Sequence, residues 1–170
     1  SGAAGVRPTR PDRVNMIRDI YTIVDKAVNH GGLPKMAMVT ALLRTPGEID
    51  DLVGSFPPDK VVLAVDFSPR QKTYAIAEDY ESEALAAFSA AGVRTMRLAL
   101  DRPFNTPFCE SLVPAVRKFA ARWMRHEPSC EIYSCATARR LETGLKVARD
   151  DTAGRWAKPV RFEETIRQMH

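Results

Sequence analysis

Residues 60–78, KVVLAVDFSPRQKTYAIAE, carry the strongest signal of the chain's topology. Residues 60–67 form an apolar run of the kind found in buried strands, and residues 72–78 alternate in polarity as a half-buried strand does. Between them, SPRQ at residues 68–71 has the composition of a tight turn, because serine and proline favour turn geometry. Two strands joined by so short a turn pair antiparallel. The sequence therefore predicts a β-hairpin at its centre.

One helix and one strand flank this hairpin on each side. Upstream, KMAMVTALL (35–43) predicts a strand, and TPGEIDDLVGSF (45–56) predicts a helix with Thr45 as its N-cap. Downstream, DYESEALAAFSAAG (79–92) predicts a helix that ends at its glycine, and VRTMRLAL (93–100) alternates like a strand. The resulting order is β-α-β-β-α-β.

That order defines the ferredoxin-like unit, an antiparallel sheet covered on one face by two helices. We therefore predict an α+β fold with three segments. Residues 1–34 form an N-terminal linker and helix, residues 35–101 form the ferredoxin-like subdomain, and residues 102–170 form a C-terminal segment of helices and short strands.

Periodicity outside the central unit is mainly helical. Residues 11–30, 109–126 and 160–170 predict helices, whereas residues 130–137 predict a short strand and residues 144–159 show no apolar period. In the first helix the apolar residues recur at three- and four-residue steps along one side: Val14, Ile17, Ile20, Tyr21, Val24 and Val28.

Composition excludes several classes of protein. The chain has 170 residues, of which 45% are apolar, enough to build a core. No stretch approaches the roughly 20 apolar residues that span a bilayer, so we expect a cytoplasmic protein without membrane contact. Cys109, Cys130 and Cys135 are an odd number without a CxxC pair, which predicts neither disulfides nor a metal site.

Charge points to an acidic partner rather than to nucleic acid. Lysine and arginine exceed aspartate and glutamate by 25 to 21, and the excess is spread along the chain. Because no basic run with interleaved aromatic residues is present, we expect no nucleic-acid binding. A mild positive charge suits an acidic protein such as an acyl carrier protein.

Four motifs in register resemble a known family. SPRQ (68–71), RPFNTPF (102–108), EIYSCAT (131–137) and WAKPVRFEETIRQM (156–169) have the order and spacing of the second half of acyltransferase domains. From about Gly31 to Met169 the chain resembles the malonyl-CoA:acyl carrier protein transacylases of fatty acid, polyketide and polyunsaturated fatty acid synthases. The resemblance implies a ferredoxin-like small subdomain, with residues 102–170 as the C-terminal remnant of a hydrolase-like large subdomain.

Asn105 marks a departure from the family. There, a serine in a G-H-S-x-G elbow attacks the CoA thioester, and a histidine in F-H-[ST]-P acts as its base. The matching segment here is FNTP, so Asn105 occupies the histidine position. Asparagine has no basic nitrogen that could accept the proton. The elbow is missing too, and Ser55, Ser68 and Ser134 lack its context, so we predict no catalytic residue.

The resemblance implies a truncated, degenerate acyltransferase. We expect an inactive segment, a structural, docking or dimerisation module, in a parent synthase that is a transferase. Expected partners are neighbouring synthase domains, an acyl carrier protein or a second copy of the chain. No cofactor is expected in this segment. The family handles acyl-CoA and phosphopantetheine, and Arg70 is either a weak contact for them or a solvated turn residue.

Three alternatives stay open. The chain could bind an acyl carrier protein without chemistry, or be an acyltransferase half that needs a partner chain to supply the nucleophilic serine. A ferredoxin-like nucleic-acid binder is the weakest alternative. Among single residues, we expect His30 and His126 to lie at helix ends and Cys109 to be a small buried residue. Trp156, Phe162 and Ile166 are expected to be core anchors.

Overall fold

The computed structural model describes residues 10–30 and 32–169 of the chain. His170 and Gly31 lie outside the described residues. Within that range the helices are α1 Arg10–Asn29, α2 Asp50–Ser55, α3 Glu81–Ala90, α4 Val113–Trp123, α5 Leu145–Gly154 and α6 Phe162–Gln168. The strands are β1 Met36–Leu42, β2 Val61–Ser68, β3 Gln71–Ala77, β4 Arg94–Arg97, β5 Tyr133–Ser134, β6 Arg139–Arg140 and β7 Val160–Arg161.

The predicted hairpin forms from β2 and β3 and lies inside a larger sheet. Five strands are hydrogen-bonded in the order β4-β1-β3-β2-β7. The first four are antiparallel to their neighbours, and β7 is parallel to β2. Because β7 comes from the C-terminal segment, the sheet joins the predicted central and C-terminal segments. A separate two-stranded sheet consists of β5 and β6.

Helices α2 and α3 cover one face of this sheet. From β1, Ala37, Val39 and Ala41 point into the core beneath the helices, as the two-residue period of a strand dictates. Phe88 of α3 is fully buried, and its ring lies edge-on to that of Phe56, with 5.8 Å between the ring centroids. This first core holds the central unit together.

The opposite face of the sheet packs against the C-terminal segment. Met36 and Met38 lie on that face, with Leu98 and Phe108 packed against them. Two buried polar side chains also lie in the sheet. The hydroxyls of Thr40 on β1 and Thr73 on β3 form a hydrogen bond with each other at 2.9 Å.

A second core joins α1 to the C-terminal helices. Its buried members are Leu33, Cys109, Leu112, Val113, Val116, Ala153 and Ala157. Helix α1 is also tied to α4 by Asp19, which accepts a hydrogen bond from the indole of Trp123 at 2.9 Å and pairs with Arg122 at 3.0 Å. The N-terminal helix is therefore part of the folded body.

Helix α2 begins later than the sequence predicted. The prediction of Thr45 as N-cap was wrong, because Gly47 adopts a φ of 74° and interrupts helical geometry. The Glu48 carboxylate instead accepts hydrogen bonds from the Arg44 side chain and backbone, at 2.9 and 2.7 Å. These bonds hold the pKa of Glu48 below its usual value.

Two further elements differ from their predictions. Strand β4 is half as long as predicted, although residues 98–101 still follow β1 through hydrogen bonds such as Leu98 N to Met38 O at 2.8 Å. Helix α5 lies in the stretch that showed no apolar period. Its buried positions are the alanines Ala148 and Ala153, which are too weakly hydrophobic to mark a helical stripe among charged neighbours.

The apolar side chains near both ends of the chain are less buried than expected. Phe162 and Ile166 are each 37% exposed, so the prediction that they are core anchors was wrong. Phe162 stacks instead on Phe67, with ring centroids 5.0 Å apart. In α1, the residues that pack into the second core are Ile20, Ile23, Ala27 and Val28.

Replacement of Phe88 by alanine tests the first core. We expect the unfolding free energy to fall by about 3–5 kcal/mol, since a fully buried aromatic ring is lost and a cavity remains. Chemical denaturation followed by circular dichroism measures the change. The control is Met96→Ala, because Met96 is 54% exposed on the same sheet and its loss should cost less than about 1 kcal/mol. Equal losses would contradict this description of the core.

Candidate functional site

The candidate site is the loop that carries Asn105, between β4 and α4. Pro103 and Thr106 are buried, and the Thr106 hydroxyl donates a hydrogen bond to the Pro103 carbonyl at 2.5 Å. The Cys109 thiol donates to the same carbonyl at 3.3 Å. A short 3-10 helix, Pro107–Leu112, then leads into α4. These contacts fix the loop from inside.

Asn105 is held in a left-handed conformation. Its φ is 61°, which asparagine tolerates better than most residues. The side-chain amide nitrogen donates a hydrogen bond to the carbonyl oxygen of Arg155, at 3.2 Å. Beside it, the ring of Phe104 lies edge-on to Trp156, with 6.0 Å between the ring centroids. The amide therefore links the loop to the turn that follows α5.

Asn105 lies at the edge of an apolar groove between this loop and α1. The groove has a volume of about 820 Å³ and is lined by Ile17, Ile20, Tyr21, Val24, Leu100, Phe104, Asn105, Arg155 and Trp156. Of these lining residues, none is a carboxylate, an imidazole or a serine. The groove can bind an apolar group, and Arg155 can meet an anion at its rim, but its lining offers no proton acceptor of the kind that activates a hydroxyl nucleophile.

Arg70 is not brought to Asn105. The Arg70 carbonyl accepts a hydrogen bond from Leu43, just past the C-terminal end of β1. The segment leading to Asn105 instead meets the other end, where Met36 donates to Asp101. Seven strand residues separate the two ends, a distance of about 20 Å. A pantetheine contact by the exposed Arg70 side chain stays a prediction.

The other candidate residues have local partners. His30 at the end of α1 contacts the Lys26 carbonyl through Nδ1 at 2.9 Å. Ser55 donates to the Leu52 carbonyl at 2.7 Å, and Ser134 donates to the Asp151 carboxylate at 2.5 Å. The described residues contain no cluster of His, Cys, Asp and Glu suited to a metal ion. They also contain no helix long and apolar enough to cross a membrane.

Sequence reasoning missed most of the groove. Tyr21 was placed on an apolar helix face and Trp156 was expected to be a core anchor, and neither was assigned to a site. Arg155 was missed as well. One signal was present, because the WAKP motif that carries the family resemblance starts at Trp156, directly after Arg155.

Cys109 is buried, as predicted, and burial disfavours the thiolate form through which a cysteine reacts. Burial raises the pKa of its thiol to about 11, although backbone hydrogen bonds at Thr106 and Asn105 favour the thiolate. A thiol in this state carries almost no thiolate near neutral pH.

Alkylation compares Cys109 with Cys130, which is exposed. With iodoacetamide at about pH 8, we expect Cys130 to be modified while Cys109 stays free, because its thiolate fraction is roughly 100-fold below that of an ordinary thiol. Peptide mass spectrometry measures both rates. Denaturant should abolish the difference, and similar rates in the native protein would show that Cys109 is accessible.

No known protein-family profile matches the chain, and neither does any curated protein sequence. Solved structures do match. The malonyl-CoA:acyl carrier protein transacylase of Coxiella burnetii aligns with a TM-score of 0.74 at 17% identity, over 91% of this chain and 48% of that protein. The transacylase of Xanthomonas oryzae pv. oryzae aligns with a TM-score of 0.73 at 21% identity, over 89% and 48%.

An acyltransferase domain from a polyketide synthase matches as well. The domain from the second module of the salinomycin synthase aligns with a TM-score of 0.66 at 22% identity, over 91% of this chain and 34% of that one. The chain spans less than half the length of each of these three structures. The resemblance predicted from the sequence is thereby confirmed: the chain has the fold of part of an acyltransferase domain of the polyketide synthase and malonyl-CoA transacylase type.

Proposed function

We propose that this chain is a non-catalytic, acyltransferase-like module that serves as a structural or docking element in a multidomain polyketide or fatty acid synthase of the cytoplasm. We further infer that residues 36–97 are a ferredoxin-like subdomain. The strand order β4-β1-β3-β2 and the two helices on one face support that inference. The polyketide synthase and transacylase names of the structural relatives support the parent class.

The observation that carries the proposal is the state of Asn105. Its amide group has no basic nitrogen, and the amide NH2 donates one hydrogen bond to the Arg155 carbonyl. A general base must accept a proton from the attacking hydroxyl. Neither Asn105 nor the other residues that line the groove can do this near neutral pH. The groove is therefore suited to binding and not to acyl transfer, and we propose no cofactor for this segment.

Intact-protein mass spectrometry tests the proposal. After incubation with malonyl-CoA or acetyl-CoA, we expect no acyl adduct on the chain or on Asn105→His, since restoring an imidazole does not supply a nucleophile. An active transacylase run in parallel is the positive control. An adduct on the unmodified chain would overturn the proposal, and one that appears only with a partner chain would favour an acyltransferase half.

A second candidate function is binding of an acyl carrier protein. It is favoured by a shallow groove of about 770 Å³ whose lining contains one carboxylate, Glu142, and four cations, Arg139, Arg140, Lys158 and Arg161. Arg140 pairs with Glu131, and Arg161 pairs with Glu164. Within the described part of the chain, Arg139 and Lys158 are exposed and make no ion pair closer than 4.0 Å. Glu142 offsets part of this charge, but the lining keeps an excess of positive charge that would attract an acidic surface.

Titration with an acyl carrier protein tests the second candidate. The double variant Arg139→Glu/Lys158→Glu should weaken binding at least about tenfold at low salt, since attraction becomes repulsion. Calorimetry measures the dissociation constant. Arg94→Glu/Lys118→Glu makes the same charge change elsewhere and should match the parent chain. If the two double variants weaken binding equally, binding depends only on the net charge of the chain and this groove is not the docking site.

A further inference from the structure

We propose that α1 binds a second copy of this chain as an antiparallel helix pair. The surface involved is the α1 seam, defined as Val14, Ile17, Tyr21 and Val24. This inference deepens the proposed structural role, because it names one partner and the surface that meets it.

The α1 seam is an apolar stripe of which three members are exposed and the fourth, Val24, is half-buried. Val14, Ile17 and Tyr21 are 53%, 51% and 70% exposed. Helix α1 turns a different side toward the second core, where Ile20 and Ile23 pack. The seam residues recur at steps of three, four and three, which is the spacing of the contact positions in paired helices. An exposed stripe of this kind is typical of a helix that packs against another helix.

Charge placement beside the seam selects a two-fold antiparallel partner. Arg18 and Asp25 are both exposed and lie seven residues apart, two helical turns, on the same flank of the seam. An antiparallel pair centred on residues 21 and 22 places each Arg18 beside the partner copy's Asp25. The two-fold axis then forms this ion pair twice. A parallel pair would instead bring the two Arg18 side chains to the same height.

Local contacts leave both charges available for such a pair. The Arg18 guanidinium donates to Asn15 at 2.5 Å, and Asp25 accepts from the Asn29 amide at 2.9 Å. Both partners are neutral amides on the same helix, so neither charge is neutralised by them. In the proposed pair, Arg18 of one copy would gain the carboxylate of Asp25 from the other copy, and Asp25 would gain the guanidinium of Arg18.

The groove beside Asn105 extends the same surface. Ile17 and Tyr21 form its wall on the α1 side, and Leu100, which is 47% exposed, faces it from the loop. Tyr21 lies near the centre of the proposed pair and is the most exposed member of the seam. A second copy would therefore cover the apolar wall of the groove together with the seam, as the central contacts of an interface require.

Charge reversal and charge exchange test the pair. By sedimentation equilibrium of the full chain we expect a dimer, whose dissociation constant rises by about tenfold in Arg18→Asp, because two attractive pairs become repulsive. The exchange variant Arg18→Asp/Asp25→Arg should restore the parent value. Lys26→Asp is the control, since Lys26 is exposed on the far side of the same helix and should leave dimerisation unchanged.

Two results would overturn this inference. One is a monomer at every concentration, and the other is a dimer that responds equally to Arg18→Asp and Lys26→Asp. Tyr21→Asp gives a second reading, because a charge at the centre should abolish the dimer while circular dichroism stays native for so exposed a residue. Mass spectrometry of acyl adducts on the same samples distinguishes this inference from the proposed function. A monomer without an adduct would contradict only the helix pair, and a dimer with an adduct would contradict only the non-catalytic role.

Discussion

The structure depends on the pairing of β1, which is hydrogen-bonded to β3 on one side and β4 on the other. Residues Met36 to Ala41 of this strand are all buried. Because buried backbone groups must find partners, both neighbours are needed for the strand to exist in that position. The alternating side chains of β1 then serve two cores, one beneath α2 and α3 and one facing the C-terminal segment.

The same pairing determines where the candidate site lies. Beyond β4, residues 98–101 continue along β1 until Met36 bonds to Asp101. The chain then turns sharply, and Asn105 reaches the turn after α5. An asparagine suits this position because it tolerates the left-handed backbone and supplies a donor for the Arg155 carbonyl. The asparagine side chain has no basic nitrogen, so it cannot take up a proton near neutral pH.

Local patterns were sufficient for much of the fold. The hairpin and its SPRQ turn, the order of the central elements and the helices α1, α3 and α4 follow from short-range periodicity and turn chemistry. The helix predicted to begin at Thr45 begins at Asp50 instead, because Gly47 has a positive φ and the Glu48 carboxylate bonds to Arg44 ahead of the helix. Helix α5 was not predicted because its buried positions are alanines, whose small side chains are too weakly hydrophobic to mark an apolar stripe.

Short-range sequence patterns were enough to establish the order of the central elements, and the match to the FNTP motif was enough to show that an asparagine replaces the family's histidine at position 105. The three-dimensional packing was needed to show which side of α1 is buried, that β7 joins the sheet beside β2, and that Asn105, Arg155 and Tyr21 border one groove. Those features arise from contacts between residues far apart in the chain. A helical pattern shows that a stripe of side chains is apolar, but the packing of α4 selects which part of it is covered.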